Sequence, residues 1–142
     1  MRIDHLSEAE LSQLIEAGFA GVPLHRHFGL QLTCLSPVTV EMPLTDESRG
    51  FVGGVHGGAL ASLIDVATNC AAALSDQFDL TTTQLATLDL HVRYLRQPSS
   101  GPVVARSALI HEGRRILQVD TAVTEPSGST IATASAFVSV SA

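Results

Sequence analysis

A single carboxylate within an otherwise uncharged, apolar segment is the strongest sign of chemistry in this sequence. The segment GGALASLIDVATNCAAALS runs from Gly57 to Ser75, and Asp65 is the only charged residue in it. His56, Gly57 and Gly58 form its beginning. A helix that is apolar on nearly every side is buried on nearly every side, and a carboxylate there is costly unless it is paired or used in a reaction. We therefore expect chemistry at Asp65 and at the start of this helix.

The start of such a helix is suited to stabilising negative charge. Its first N–H groups have no partner within the helix and lie at the positive end of the helix dipole. Glycine at this point lets a reacting carbonyl group approach the backbone closely. One donor of this kind is worth about 3–4 kcal/mol of transition-state stabilisation in acyl transfer. The glycine-rich start is therefore a candidate site for a developing oxyanion.

Helical spacing divides the central segment into two faces. We predict a helix over residues 57–74 with one apolar stripe, formed by Leu60, Leu63, Ile64, Ala67, Ala71 and Leu74. At about 100° per residue, Asp65 and Asn69 fall on the opposite side. The small residues expected beside them are Ala61, Ala72 and Ala73. We infer that one face packs on the chain's own sheet and that the other packs on a second subunit.

The elements before this helix follow from local patterns. Ser7 and Glu10 form a capping box, which predicts a helix that ends near Gly18. Pro23 and the residues that follow it are expected to form a connection. Alternating apolar residues over positions 28–44, interrupted by a Ser-Pro turn, predict a β-hairpin.

Four strands are predicted after the helix. Residues 87–94 alternate strictly, and the residues expected on the buried side are Leu88, Leu90, Val92 and Tyr94. Residues 103–110, 116–123 and 130–140 give three more strands, joined by glycine-containing turns. We expect these four strands to form a meander. Together with the first hairpin, they predict an α+β fold whose sheet is largely antiparallel.

Composition limits the classes of function. The chain has 142 residues, enough for one domain, and its 45% hydrophobic and 15% charged residues suggest contacts between subunits. A net charge of −6 without any lysine does not favour a nucleic-acid-binding face. Cys34 and Cys70 are too few for a disulfide framework. Because no signal peptide or membrane span is visible either, we predict a cytoplasmic protein.

These elements and motifs resemble the hotdog fold, a sheet wrapped around one long central helix. VHGGALASLID, residues 55–65, resembles the PaaI-type acyl-CoA thioesterase branch, in which an aspartate follows the second glycine by seven residues, as Asp65 follows Gly58. LHVRYLRQPSSG and IATASAFV, residues 90–101 and 131–138, are similar to later strands of that family. We therefore predict a hotdog thioesterase-like domain over residues 28–142, preceded by an N-terminal helix and connection over residues 1–27.

The resemblance implies a role for each motif residue. Asp65 would be the nucleophile or general base toward the thioester, and the N–H of Gly57 would hold the carbonyl oxygen. His56 and Gly58 would shape the mouth of the pocket, and Thr87 would help to place water or substrate. Candidates for binding the phosphates of coenzyme A are Arg93 and Arg96, with Arg114 and Arg115. No metal or redox cofactor is implied, since coenzyme A arrives as part of the substrate.

The spacing of the two reacting groups predicts an oligomer. Gly57 and Asp65 are eight residues apart, which is about 12 Å along a straight helix. Groups that act on one carbonyl must come within about 3–3.5 Å of it. If both residues act on one substrate, Asp65 must therefore come from a second subunit. We expect a homodimer at minimum and, as a further step, a dimer of dimers.

Alternative functions stay open at this point. A hotdog dehydratase or hydratase would favour a histidine and a carboxylate acting together on a carbon acid. A non-catalytic acyl-CoA-binding or regulatory protein would keep the pocket and lose turnover. Gly50 gives the latter some support, because many relatives carry Asn or Gln six residues before the motif histidine. Arg49 or Ser48 would have to replace that amide, and Asp65 itself would be only an interface carboxylate bonded to Asn69 in a structural role.

Overall fold

One antiparallel sheet and one long helix make up most of the structure. The computed structural model describes residues 5–142, apart from the side chains of residues 12 and 16. The helices are α1 (Glu8–Leu14), α2 (Pro23–Phe28) and α3 (Gly57–Ala72), with short helical turns at Ile15–Phe19 and Asp46–Ser48. The strands are β1 (Gln31–Leu35), β2 (Val38–Met42), β3 (Gln84–Tyr94), β4 (Val103–Glu112), β5 (Ile116–Thr124) and β6 (Thr130–Ser141).

The order of strands places α3 across the middle of the sheet. The order is β1-β2-β4-β5-β6-β3, and every neighbouring pair is antiparallel. α3 contacts β2, β3, β4, β5 and β6 on one face of the sheet. This arrangement confirms the predicted α+β class and the hotdog fold. None of the helices within residues 5–142 is long and apolar enough to cross a membrane.

The predicted four-stranded meander is wrong in one respect. Only β4, β5 and β6 follow one another in the sheet, whereas β3 lies at the edge and pairs with β6. That pairing extends from Gln84 opposite Ser141 to Tyr94 opposite Ala132. Residues 95–102 connect β3 to β4. A link of this length can cross the sheet, whereas a tight turn can join only neighbouring strands. As a result, β3 is an edge strand that runs beside α3.

The core lies between α3 and the sheet. Within α3 the fully or nearly fully buried apolar side chains are Ala59, Leu60, Leu63, Ile64, Ala67, Ala71 and Ala72. The predicted stripe is therefore confirmed except at Leu74, which lies beyond the end of the helix and is exposed. Ala72, expected on the opposite face, is instead buried against Leu117, Val138 and Val140. The helix is thus covered by the sheet over more of its circumference near its C-terminal end.

The N-terminal region contains two helices where the sequence predicted one. The capping box is confirmed, since the Glu10 carboxylate accepts from the Ser7 N–H at 2.8 Å and the Ser7 Oγ accepts from the Glu10 N–H at 3.3 Å. The predicted connection at Pro23 is wrong, because α2 occupies it. Pro23 starts that helix with a fixed backbone torsion, and Gly29 ends it in the left-handed conformation at φ 66°. Residues 1–4 of the predicted N-terminal segment lie outside the described residues.

A β-bulge in β3 changes which side chains face α3. The register shifts between Thr87, opposite Val138, and Asp89, opposite Phe137, so Leu88 is the extra residue. Leu88 was predicted to be buried, but it is 57% exposed. Thr87 is half-buried on the side of α3. A bulge of this kind re-aims the neighbouring side chains, and here it lets both Thr87 and Leu90 face the helix.

The bulge predicts different costs for two leucine truncations. Leu63→Ala removes a fully buried side chain of α3, and we expect it to lower the free energy of unfolding by about 2–5 kcal/mol. Leu88→Ala should change it by no more than about 0.5 kcal/mol, since that side chain contributes little to the core. Denaturant unfolding of both variants beside the wild type measures the difference. Equal losses would contradict the bulged register.

Candidate active site

The histidine before α3 acts as the cap of that helix. His56 has extended backbone torsions, and its Nδ1 accepts a hydrogen bond from the Gly58 N–H at 2.8 Å. The His56 N–H donates to the Ser48 carbonyl at 2.7 Å. Capping satisfies one of the N–H groups that a helix start leaves free. His56 therefore fixes where α3 begins.

Gly57 keeps a free N–H at the first position of α3. Its helical acceptor would be the Gly53 carbonyl, which lies outside the helix, and no other acceptor for it is found among the described residues. The Gly57 carbonyl accepts from the Tyr94 hydroxyl at 2.8 Å. A Cβ at Gly57 would lie 3.4 Å from the Tyr94 ring. Tyr94 thus holds the start of α3 against β3, while the Gly57 N–H stays available to an anion.

The loop that leads to α3, residues 49–55, is folded into a closed turn. Arg49 and Val55 form an isolated antiparallel bridge, and the Gly50 N–H donates to the Gly54 carbonyl at 2.5 Å. Gln97, just after β3, accepts from the Val55 N–H at 2.9 Å through Oε1. The turn is therefore held both by its own backbone and by the end of β3.

Neither Ser48 nor Arg49 replaces the amide that the family resemblance predicts at position 50. The Ser48 side chain is buried and its hydroxyl donates to the Thr45 carbonyl at 3.1 Å. Arg49 is exposed and lies 3.4 Å from the Asp46 carboxylate. A Cβ at Gly50 would lie 3.3 Å from the Gly54 carbonyl oxygen, so this turn also leaves little room for a side chain.

An amide is present beside Asp65, but it comes from α3 itself. Asn69 Nδ2 donates to the Thr87 Oγ1 at 2.9 Å and lies 3.4 Å from Asp65 Oδ1. The Thr87 hydroxyl in turn donates to Asp65 Oδ1 at 2.6 Å. The Thr87 hydroxyl thus accepts a hydrogen bond from Asn69 and gives its own proton to the carboxylate oxygen. Nothing among the described residues donates to Oδ2, which is left free to accept a proton.

The two parts of the predicted site lie far apart within one chain. Both Gly57 and Asp65 belong to α3, whose regular rise separates them by about 12 Å along the axis. The structure therefore brings together Asp65, Asn69 and Thr87 as one group. It brings together His56, Gly57, Gly58 and Tyr94 as a second group, at the other end of the same helix face.

Two of the four predicted phosphate-binding arginines, Arg93 and Arg96, have different surroundings. Arg93 is exposed and lies, by strand alternation from the half-buried Val92, on the face of the sheet opposite α3. It lines a cavity of about 300 Å³ there. Arg96 Nη2 lies 2.7 Å from Oε1 of Glu125, whose side chain is only 2% exposed. Arg96 is therefore engaged in an ion pair, although half of its side chain stays exposed.

Glu125 also organises the turn after β3. It accepts from the Ser99 N–H at 2.6 Å and from the Ser127 hydroxyl at 3.1 Å. The Ser99 N–H, assisted by Ser127 and Arg96, holds the pKa of Glu125 below its usual range, against the opposing effect of burial. The charged form of Glu125 is thus the form that this turn stabilises.

The two cysteines differ in exposure. Cys34 is exposed, whereas Cys70 packs against the core. Burial raises the pKa of the Cys70 thiol to about 11. Since the thiolate is the reactive form, Cys70 is protonated and unreactive at neutral pH.

Sequence patterns did not identify three residues that shape this site. Tyr94 was predicted to be buried, but it is 51% exposed. Gln97 was given no role, and Asn69 was expected only as a structural hydrogen-bond partner of Asp65. Tyr94 and Gln97 contact residues about 40 positions earlier in the chain, and this proximity depends on β3 lying beside α3. Asn69 was the one with a local signal, since it follows Asp65 by four residues and so shares its helix face.

Comparison with known proteins connects this geometry to a family. The model of the thioesterase superfamily matches residues 52–132. No curated protein matches the sequence significantly. A mutant thioesterase from Pseudomonas aeruginosa is similar in structure, with a TM-score of 0.81, 21% identity and coverage of 94% of this chain and 95% of that one. A conserved protein from the same organism has a TM-score of 0.77, 28% identity and coverage of 84% and 94%.

A third similar structure was determined with a ligand. It is a hypothetical thioesterase from Streptococcus pneumoniae with coenzyme A. Its TM-score is 0.63, its identity 22%, and the coverage is 73% of this chain and 77% of that one.

The ion pair at Glu125 predicts a pH-dependent contribution to stability. A carboxyl whose pKa is lowered in the folded state stabilises that state above its unfolded pKa, about 4.3 for glutamate, and loses the effect as the pH falls through the folded value. We expect Glu125→Gln to be less stable than the wild type at pH 7. The difference in the free energy of unfolding between the variant and the wild type should narrow as the pH falls below about 4.3. Urea unfolding of both proteins at a series of pH values measures this difference. A gap that stayed constant with pH would contradict this role.

Proposed function

Because the chain belongs to the thioesterase superfamily, we propose that it hydrolyses acyl-CoA thioesters to the free acid and coenzyme A. The main support is the Asp65 carboxylate, held on Oδ1 by Thr87 and Asn69 and free on Oδ2. The free N–H at the start of α3 supplies a second requirement, a donor for a developing oxyanion. The structural neighbour with coenzyme A supports the nature of the leaving group.

In the proposed reaction Asp65 acts as the general base. Its Oδ2 takes a proton from a water molecule, whose oxygen attacks the thioester carbon. The carbonyl oxygen becomes an oxyanion and accepts a hydrogen bond from the Gly57 N–H. When the tetrahedral intermediate collapses, the C–S bond breaks and the proton on Asp65 passes to the coenzyme A sulfur. Direct attack by the carboxylate would instead form an anhydride, which water then hydrolyses; both routes need the same carboxylate.

The site requires two subunits related by a two-fold axis. The Gly57 N–H and Asp65 of one chain cannot reach the same carbonyl, so each site combines Gly57 of one subunit with Asp65 of the other. β3 supports such a dimer, since it is an edge strand that contacts Gly57 through Tyr94 and Asp65 through Thr87. A two-fold axis that lies beside the free edge of β3, level with the midpoint between Tyr94 and Thr87, would place Tyr94 beside Thr87 of the partner subunit, and the two edges would pair.

The remaining parts of the proposal are secondary. His56 and Gly58 set the position of α3 at the pocket mouth, and Thr87 orients the carboxylate. The phosphate-binding roles of Arg93 and Arg96 stay predictions, as do the absence of a metal, the dimer of dimers and the cytoplasmic location. Gly50 supports a non-catalytic acyl-CoA-binding protein as the alternative, and turnover distinguishes it from an enzyme.

The catalytic proposal predicts losses of activity from two substitutions in α3. Asp65→Asn removes the base, and we expect kcat to fall by about 10²–10⁴-fold. Gly57→Pro removes one N–H, and we expect a fall of about 10²–10³-fold. Proline suits the first helical position, and the His56 torsions of φ −67° and ψ 130° suit a residue before proline. Release of coenzyme A thiol from a panel of acyl-CoAs measures both.

Gly57→Ala is the matched control for the proline variant. It keeps the N–H and adds only a methyl group at 3.4 Å from the Tyr94 ring, so it should keep most of the activity that Gly57→Pro loses. A protein-only blank corrects for reaction of the exposed Cys34 thiol with the assay reagent. Tight acyl-CoA binding without release by the wild type would establish the non-catalytic alternative.

The shared site predicts that two inactive variants restore activity when mixed. In a heterodimer of Asp65→Asn and Gly57→Pro, one site has both substitutions and the other has neither. Random pairing of equal amounts should therefore recover about a quarter of the wild-type activity. Co-refolding of the two variants, compared with each variant refolded alone, measures the recovery. If the mixture stayed as inactive as its components, a site shared between subunits would be ruled out.

A further inference from the structure

Two apolar side chains in the loop before α3 are exposed to an unusual degree. Phe51 is fully exposed and Val52 is 92% exposed, whereas no other large apolar side chain of the described residues exceeds 57%. They are neighbours at the tip of the closed turn formed by residues 49–55. Adjacent, fully exposed apolar residues indicate a surface that is covered when the protein functions.

This tip is held in place by the backbone around it. The Gly50 N–H bonds to the Gly54 carbonyl, and the Gly53 N–H donates to the Gly50 carbonyl at 3.1 Å. Gly53 has φ 91°, a torsion that glycine adopts without strain. Gln97 then fixes the end of the turn at Val55. Phe51 and Val52 are therefore presented by an ordered turn.

The proposed dimer determines what lies near this tip. The turn leads directly to the Gly57 N–H, where the thioester carbonyl would bind. Asp65 of the partner subunit must approach the same carbonyl within about 3–3.5 Å. The acyl group and the coenzyme A sulfur are both attached to that carbonyl carbon, so both begin in the gap between the turn and the partner's α3.

On the side of the gap formed by the partner's α3, the groups that surround the Asp65 carboxylate do not supply an apolar contact. Asp65 is held by Asn69 and Thr87, whose functional groups are polar. The small residues on the same helix face leave space. On the side of the partner's α3, an acyl group in the gap would thus meet polar groups and small side chains. On the opposite side it would meet the two large apolar side chains of the turn.

We propose that Phe51 and Val52 form the wall of the acyl pocket and select thioesters with an apolar acyl group, such as an aryl or six-carbon chain, over acetyl. This inference rests on the proposed function and adds the residues that set its specificity. The acyl group packs against the tip of the turn, and its contact with the Phe51 ring covers the exposed apolar surface.

A comparison of substrates tests the inference. For Phe51→Ala, we expect the ratio of kcat/KM for benzoyl-CoA to that for acetyl-CoA to fall about tenfold, with a similar fall for hexanoyl-CoA; tenfold corresponds to about 1.4 kcal/mol. Phe51→Leu should give an intermediate ratio. Ile116→Ala is the matched control. Ile116 is 48% exposed and adjoins the fully buried Leu117 in β5, so it lies on the face of the sheet away from α3, and its ratio should equal that of the wild type.

The outcomes separate this inference from the function on which it rests. If the wild type released no coenzyme A from any substrate, the proposed function would fail. If it turned over substrates but Phe51→Ala kept the wild-type ratio, only the acyl wall would be overturned. Light scattering of each variant reports the dimer. If Phe51→Ala dissociated the dimer, the test would rest on Phe51→Leu. An unchanged ratio of kcat/KM values in a dimeric Phe51→Leu variant would overturn the acyl wall and mean that the tip serves association alone.

Discussion

The rise of the α-helix, about 1.5 Å per residue, is the constraint on which the proposed site depends. It separates Gly57 from Asp65 by about 12 Å along the helix axis, whereas two groups that act on one carbonyl must each lie within about 3–3.5 Å of it. No side-chain rotation within the chain closes that gap. The same helix therefore provides half of each of two sites, and a second copy is needed to complete them. The small residues on its open face allow a second helix to approach closely, which is consistent with that requirement.

One edge strand positions both halves of the site. At one end of β3, Tyr94 bonds to the Gly57 carbonyl and Gln97 just beyond bonds to Val55. At the other end, the bulge at Leu88 turns Thr87 toward Asp65. Without the extra residue, strict alternation would direct Leu88 to the helix and Thr87 away from it. The bulge thus leaves the apolar side chain of Leu88 exposed and places the Thr87 hydroxyl where it fixes the carboxylate.

The sequence predicted the features that depend on local pattern. The central helix, its buried stripe, the first hairpin and the positions of β4, β5 and β6 all follow from periodicity, and the Ser7–Glu10 capping box follows from residue type. Apart from the short α2, the features it missed depend on distant residues. Nothing near Leu88 signals the bulge, because the register is set by β6, and nothing near Gln97 signals its contact with Val55. The short α2 was hidden because Pro23 suits a loop as well as a helix start.

The placement of Asn69 explains how Asp65 is oriented although Gly50 carries no amide. An amide at position 50 would have to reach Asp65 from a loop, and in a dimer it would do so across the interface. Asn69 lies one helical turn after Asp65 on the same rigid element and bonds to Thr87 in the same subunit. The carboxylate is therefore oriented within each chain before any association. In the proposed dimer, association would then have only to bring the partner's helix start into place, and the pairing of two β3 edges would set that distance through the regular spacing of a sheet. Under the proposed mechanism, the base is oriented within one chain, whereas the oxyanion site is completed only when two chains associate.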